Sequence, residues 1–151
     1  MDKLIRFTNS DLSKVTNYRS GEVKFGEKLI LIPQNIEILD FLNTCEQQFV
    51  LFGIPEDIGI RANYGRPGAD SAWESALKSI ANIQHNRFNK GSQLVVLGQL
   101  DVAQEMEEVQ NLDFNITEDR KKMSALVQKI DKEVVHVVTQ IVKAGKTPII
   151  I

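Results

Sequence analysis

What is scarce in this chain narrows its possible roles first. A single cysteine, Cys45, excludes an internal disulfide and any cysteine-cluster metal site. Basic excess is missing: 18 Lys and Arg against 20 Asp and Glu leave a net charge of −2, with nothing to spare for displacing counterions from phosphates, which argues against a nucleic-acid partner. No apolar run approaches the length of a membrane span. The opening "MDKLIRFTNSDLSK" lacks the apolar core and small-residue cleavage site of a secretory signal. These absences together predict a soluble protein of a reducing, cytoplasmic compartment, with no membrane and no nucleic acid among its partners.

The residues that are present describe an ordinary folded chain. Its 151 residues are the size of one domain, and 42% hydrophobic with 25% charged residues is globular composition. Residues 1–48 read as a leader that carries a peripheral strand in "KLILIP", Lys28 to Pro33, and a helix from Asn35, the predicted N-cap, to about Asn43. Residues 49–151 read as an α/β unit. "FVLFGIP", "LVVLG" and the terminal "PIII" are short continuous apolar runs of the kind that form strands buried on both faces.

Helices are predicted between these strands. "SAWESALKSIANI" places Trp73, Ala76, Leu77, Ile80 and Ala81 on one face, with Ser71 and Glu74 spaced as a capping box. From about Thr117 to Ala144, Met123, Leu126, Val127, Ile130, Val134, Val137 and Ile141 keep a step of three or four, and Gly145 supplies the terminating left-handed position. Strands alternating with amphipathic helices imply βαβ units, right-handed crossovers and a parallel sheet.

Ligands of such sheets bind beyond the carboxyl ends of the strands. The loop after the first core strand, "GIPEDIGIRANYGRPGADSAWESA", is longer than a βα connection needs. Gly65 and Gly68 flank Arg66, so the backbone can turn sharply while the guanidinium sits at the rim, suited to gripping a carboxylate. An architectural role, with Arg66 paired to Glu56 or Asp57, accounts for the same pattern. Neither phosphate-loop fingerprint, G-x-G-x-x-G or G-x-x-x-x-G-K-[ST], occurs.

The stretch "FVLFGIPEDIGIRANYGRPGADSAWESA" resembles the first strand and loop of the ureohydrolases, the arginase, agmatinase and formimidoylglutamase superfamily, and is most similar to the formimidoylglutamase-like branch. "VVLGQLDV" and "IVKAGKTPIII" resemble the second strand with its acidic turn and the lead-in to the third strand. The resemblance implies the amino-terminal part of a three-layer α/β/α fold, with a parallel sheet of about three core strands. It also implies hydrolysis of amidino or guanidino C–N bonds in a small-molecule substrate by two Mn²⁺ ions that activate a shared water. Homo-oligomers are common in that family. Matching positions make Asn63 and Arg66 the substrate-binding candidates.

The family's metal ligands lie in G-G-x-H, D-x-H-x-D and D-x-D motifs, and none of these is in this sequence. His136 sits within a helix beside its apolar stripe, and His85 follows a helix end, where a capping role fits better than ligation. The run from Asp101 to Asp119 is a solvated acidic face, with Asp101 set apart because it follows a strand end, where capping or bracing is expected. No catalytic residue and no metal ligand is therefore assigned, and no cofactor is expected on this chain alone. The terminal strand reads as stopping just short of the family's first ligand motif, leaving Ile149 to Ile151 either to recruit another chain or to fray. The competing expectation is a stand-alone small-anion-binding or assembly module that uses the glycine-rich loop and the helix beginning near Ser71.

Overall fold

The computed structural model describes residues 3–151. It is a mixed α/β fold, about half helical, with a sheet of five strands, mostly parallel. The core strands are β3 (Phe49–Gly53), β4 (Leu94–Leu100) and β5 (Thr147–Ile150), all parallel, with β3 between the other two. The opening segment joins the same sheet: β1 (Leu4–Arg6) pairs antiparallel with the end of β4, and β2 (Ile30–Leu31) pairs parallel with its start. The short strand β1 carries no alternation that distinguishes it from coil, so it was not foreseen.

Alternate side chains of β3 go to opposite faces, as strand geometry requires. Val50 and Phe52 join one apolar cluster with Leu42 of α2 (Ile38–Thr44) and Met123, Leu126, Ile130, Val137 and Ile141 of the long helix α6 (Thr117–Lys143). Leu51 joins the other, with Leu12 of α1 (Asn9–Val15) and Trp73 and Leu77 of α4 (Ala72–Ala81). One irregularity sets the phase of β4. The pairing slips between Leu51 and Phe52, so that Leu51 faces Val96 while Phe52 faces Gly98. One extra residue in a strand reverses which face each following side chain meets. Leu100 is thereby sent to the α6 side and Gln99 to the Trp73 side, where its Oε1 accepts the indole N–H at 2.8 Å. Gly98 makes the slip possible: its φ is +139°, and an added Cβ would lie 2.0 Å from the carbonyl oxygen of Ile5.

Three local expectations are corrected. Asn35 does not cap α2; the Ile36 N–H goes to the Pro33 carbonyl in a turn, and the helix starts at Ile38 with Glu37 before it. Ser71 and Glu74 form no capping box, because Ser71 already ends a 3-10 turn (Ala69–Ser71) and donates its hydroxyl to the Gly68 carbonyl at 2.8 Å. The terminal strand is not frayed: Thr147 donates to Gln48, Ile151 donates to Phe52, and the Ile151 carbonyl receives the Ile54 N–H. These bonds point odd-numbered residues at β3, so Pro148 faces the open edge, where its missing N–H removes a donor that another strand would need.

A capping box does form where none was expected, at α1. Asp11 donates its N–H to Thr8 Oγ1, and its carboxylate accepts the Thr8 N–H at 3.0 Å. The Thr8 hydroxyl, followed by Lys14, holds the Asp11 carboxyl down at about 2, below its ordinary 3.8. A depressed carboxyl pKa contributes stability that is present above the unfolded value and lost as pH falls through the folded one. The destabilisation caused by Asp11→Ala is therefore expected to be full above about pH 4 and to vanish as pH falls through about 2. Urea midpoints of both proteins across that window check it; a pH-independent difference would remove Asp11 ionisation from the cap.

Candidate functional site

The carboxyl edge of the sheet is built around the loop that follows β3. Its first surprise is a short helix, α3 (Ile58–Ala62), whose five residues are too few to register as periodicity. Both loop carboxylates are used to hold it. Glu56 Oε2 accepts the N–H groups of Ile58 and Gly59 at 2.6 and 3.2 Å. Asp57 is fully buried and takes Arg61 in a forked pair, Nε to Oδ1 at 2.6 Å and a terminal nitrogen to Oδ2 at 3.1 Å. The same Oδ2 accepts the Gly68 N–H at 2.8 Å, which pins the far end of the glycine-rich segment to the start of α3. The architectural partner of Asp57 is thus Arg61, one helical turn away, and not Arg66.

α3 ends in a Schellman arrangement, with Tyr64 N–H bonded to the Arg61 carbonyl and Gly65 N–H to the Ile60 carbonyl. The left-handed position at φ 59° is occupied by Tyr64, where glycine is the usual residue. A compensating contact is visible: the Tyr64 ring lies 5.0 Å from the Arg120 guanidinium and meets Phe114 edge-on at 6.3 Å.

Arg120 arrives from α6, and helix length explains how. At 27 residues α6 extends about 40 Å, whereas a strand of five residues such as β3 covers only about 17 Å. A short turn joins the carboxyl end of α6 to β5, so the amino-terminal turns of α6 project past the carboxyl ends of the strands and pack on α3. Between them lies a cleft of about 340 Å³ lined by Asn63 from the end of α3 and by Thr117, Arg120, Lys121 and Ser124 from α6. That volume suits a small molecule. A hollow of about 410 Å³ lined in part by Gln47, Gln48 and Lys90 lies at the opposite, amino edge of β3.

The substrate-binding candidates separate here. Asn63 lines the cleft, and its side-chain amide donates to the Gly59 carbonyl at 3.0 Å. Arg66 is exposed, lies outside that lining and makes no hydrogen bond or ion pair among the described residues. Arg120, Lys121 and Ser124 were missed by sequence reasoning, because they stand more than fifty positions from Asn63 and "EDRKK" reads as a charged helix surface.

The other polar candidates stay apart. Asp101 is exposed and accepts the Ala103 N–H at 3.2 Å, bracing the start of α5 (Ala103–Val109). His85 does not cap α4, whose C-cap is Asn82; its Nδ1 accepts the Gly91 N–H at 3.2 Å and closes the loop before β4. His136 is exposed on α6, 3.0 Å from the Gln140 amide. Among the described residues, no group of three or more His, Cys, Asp or Glu side chains is placed to hold a metal ion. No helix among them is long and apolar enough to cross a membrane.

No family model, curated protein or solved structure matches this chain. Its functional interpretation rests on the residues and their geometry.

Proposed function

We propose that the chain is the amino-terminal α/β portion of a binuclear-manganese ureohydrolase of the formimidoylglutamase, agmatinase or arginase kind, inactive by itself toward amidino and guanidino C–N bonds. One observation carries this above others: β5 lies parallel beside β3, so the third core strand neighbours the first, with the glycine-rich loop at the carboxyl end of β3. In the superfamily that the sequence resembles, the third core strand likewise lies beside the first. Clusters with α2 and α6 on one face and α1 and α4 on the other support reading the sheet as the start of a three-layer α/β/α arrangement.

The donor set does not fit two manganese ions. Both histidines are engaged away from the cleft, and the loop carboxylates Glu56 and Asp57 are consumed in holding α3. No chemical step is therefore derived through a metal for this chain. Its part is to frame the sheet and to present Asn63 and Arg66 on the substrate side.

Two measurements test the proposal. The reading frame beyond the codon for Ile151 is expected to encode a G-G-x-H sequence, and an immediate stop codon would overturn the enzyme assignment. Elemental analysis of the purified chain is expected to find no stoichiometric manganese; one ion per chain would contradict the ligand inventory. The competing reading, a small-anion-binding or assembly module that uses the glycine-rich loop and the helix beginning near Ser71, is the one left standing by a stop codon.

A further inference from the structure

Among the described residues, the acidic side chains near the α3–α6 cleft already have partners. Glu118 holds Lys121 at 2.8 Å, Asp119 holds Lys122 at 2.8 Å and accepts the Asp113 N–H, Asp57 holds Arg61, and Glu56 takes two backbone N–H groups. Arg120 is the exception on the cationic side. Its guanidinium is fixed by neutral groups alone, the Phe114 carbonyl at 2.8 Å, the Thr117 hydroxyl at 3.2 Å and the Tyr64 ring, and no carboxylate pairs with it among the described residues. A half-buried arginine held in a set orientation without a counter-ion retains unused donors in its rigid fork. The Glu118–Lys121 pair is exposed on both sides and so contributes little, leaving Lys121 able to turn to an incoming charge.

We propose that the cleft between α3 and α6 is a carboxylate-binding site, with Arg120 as the principal grip and Asn63, Lys121 and Ser124 as neighbouring polar contacts. The site deepens the functional proposal above by naming the chemistry of the substrate end it would receive, and in that respect it rests on it. The arrangement favours a planar carboxylate because a guanidinium fork matches two oxygens in one plane. Tyr64 has a place in this account: it occupies a left-handed backbone position that glycine adopts more readily, and its ring lies against the guanidinium that the Phe114 carbonyl and Thr117 hydroxyl also hold.

The test is a titration of the ¹⁵N-labelled chain with sodium glutarate at constant ionic strength, with sodium sulfate as a second arm. Saturable shifts are expected at the amides of Asn63 to Gly65 and Thr117 to Ser124, with sulfate weaker than glutarate. Arg120→Gln is expected to raise the glutarate dissociation constant at least about tenfold, the loss of one good charge-assisted contact. Should that variant fail to fold, Arg120→Lys keeps the charge, loses the fork and must also weaken binding. Absence of saturation at those amides, unchanged affinity in the folded variants, or sulfate binding as tightly as glutarate would each overturn the carboxylate site. No metal enters this experiment, so its failure leaves the ureohydrolase assignment to the reading frame. A stop codon after Ile151, conversely, would remove the enzyme and leave a demonstrated glutarate site in place.

Discussion

Replacing Asp57 by Ala is expected to cost about 2–4 kcal/mol, a large part of the roughly 5–15 kcal/mol that holds a domain together. The side chain is fully buried and satisfies three donors, two from Arg61 and one from the Gly68 backbone. Truncation strands a guanidinium and an amide at once, and orphaned buried polar groups are more expensive than the bond they lost. The figure is set below the upper range for a broken buried pair because the Arg61 side chain keeps 24% of its surface in water. Asp57→Asn is expected to fall between wild type and Asp57→Ala, since the amide oxygen can still accept the Gly68 N–H. Urea denaturation with unchanged slope checks both. A cost under about 1 kcal/mol for Asp57→Ala would mean that the loop is held by its other contacts.

The second large effect belongs to Gly53 and Trp73. Gly53 ends β3, and its φ is not in the left-handed region, so the backbone itself tolerates alanine there. Space does not. A Cβ at Gly53 would lie 2.1 Å from the indole ring of Trp73, which is 2% exposed and tied to Gln99 at 2.8 Å. The ring cannot swing away as a flexible chain end would. Gly53→Ala is therefore expected to cost about 2 kcal/mol or more by overpacking, and Trp73→Ala about 3–5 kcal/mol by leaving a cavity. In the Trp73→Ala background the added methyl enters that cavity, and the further cost of Gly53→Ala is expected to fall below about 0.5 kcal/mol. Additive costs in the double mutant would show that something other than the indole requires glycine at this position.

Much of the architecture is legible along the chain because it follows from local periodicity. The three apolar runs become β3, β4 and β5, and the stripe from Met123 to Ile141 becomes the buried face of α6. Gly145 takes φ 70° at the end of that helix, as its place after the last periodic residue implies. Two short elements escaped, β1 of three residues and α3 of five, because neither has enough positions to show a period. Caps were misplaced for a related reason. Asn35 and Ser71 have the right chemistry for a helix start, but Pro33 and Gly68 accept the competing bonds that move or pre-empt it.

The candidate site divides along the same line. Asn63, which lines the cleft, was named through the resemblance of its loop. Arg120 was not, because nothing along "EDRKK" records that α6 overhangs the strands and sets this one guanidinium against Tyr64. The sequence by itself determined the α/β alternation and the glycine-rich loop at a strand end, since both depend on neighbours a few residues apart. It also determined that only two histidines and one cysteine are present, which is a matter of inventory. Tertiary structure decided which arginine pairs with Asp57, which face Gln99 meets after the slip at Gly98, and that Arg120 has no carboxylate partner among the described residues. Each of these depends on where distant segments come to rest, through helix length, strand register and burial.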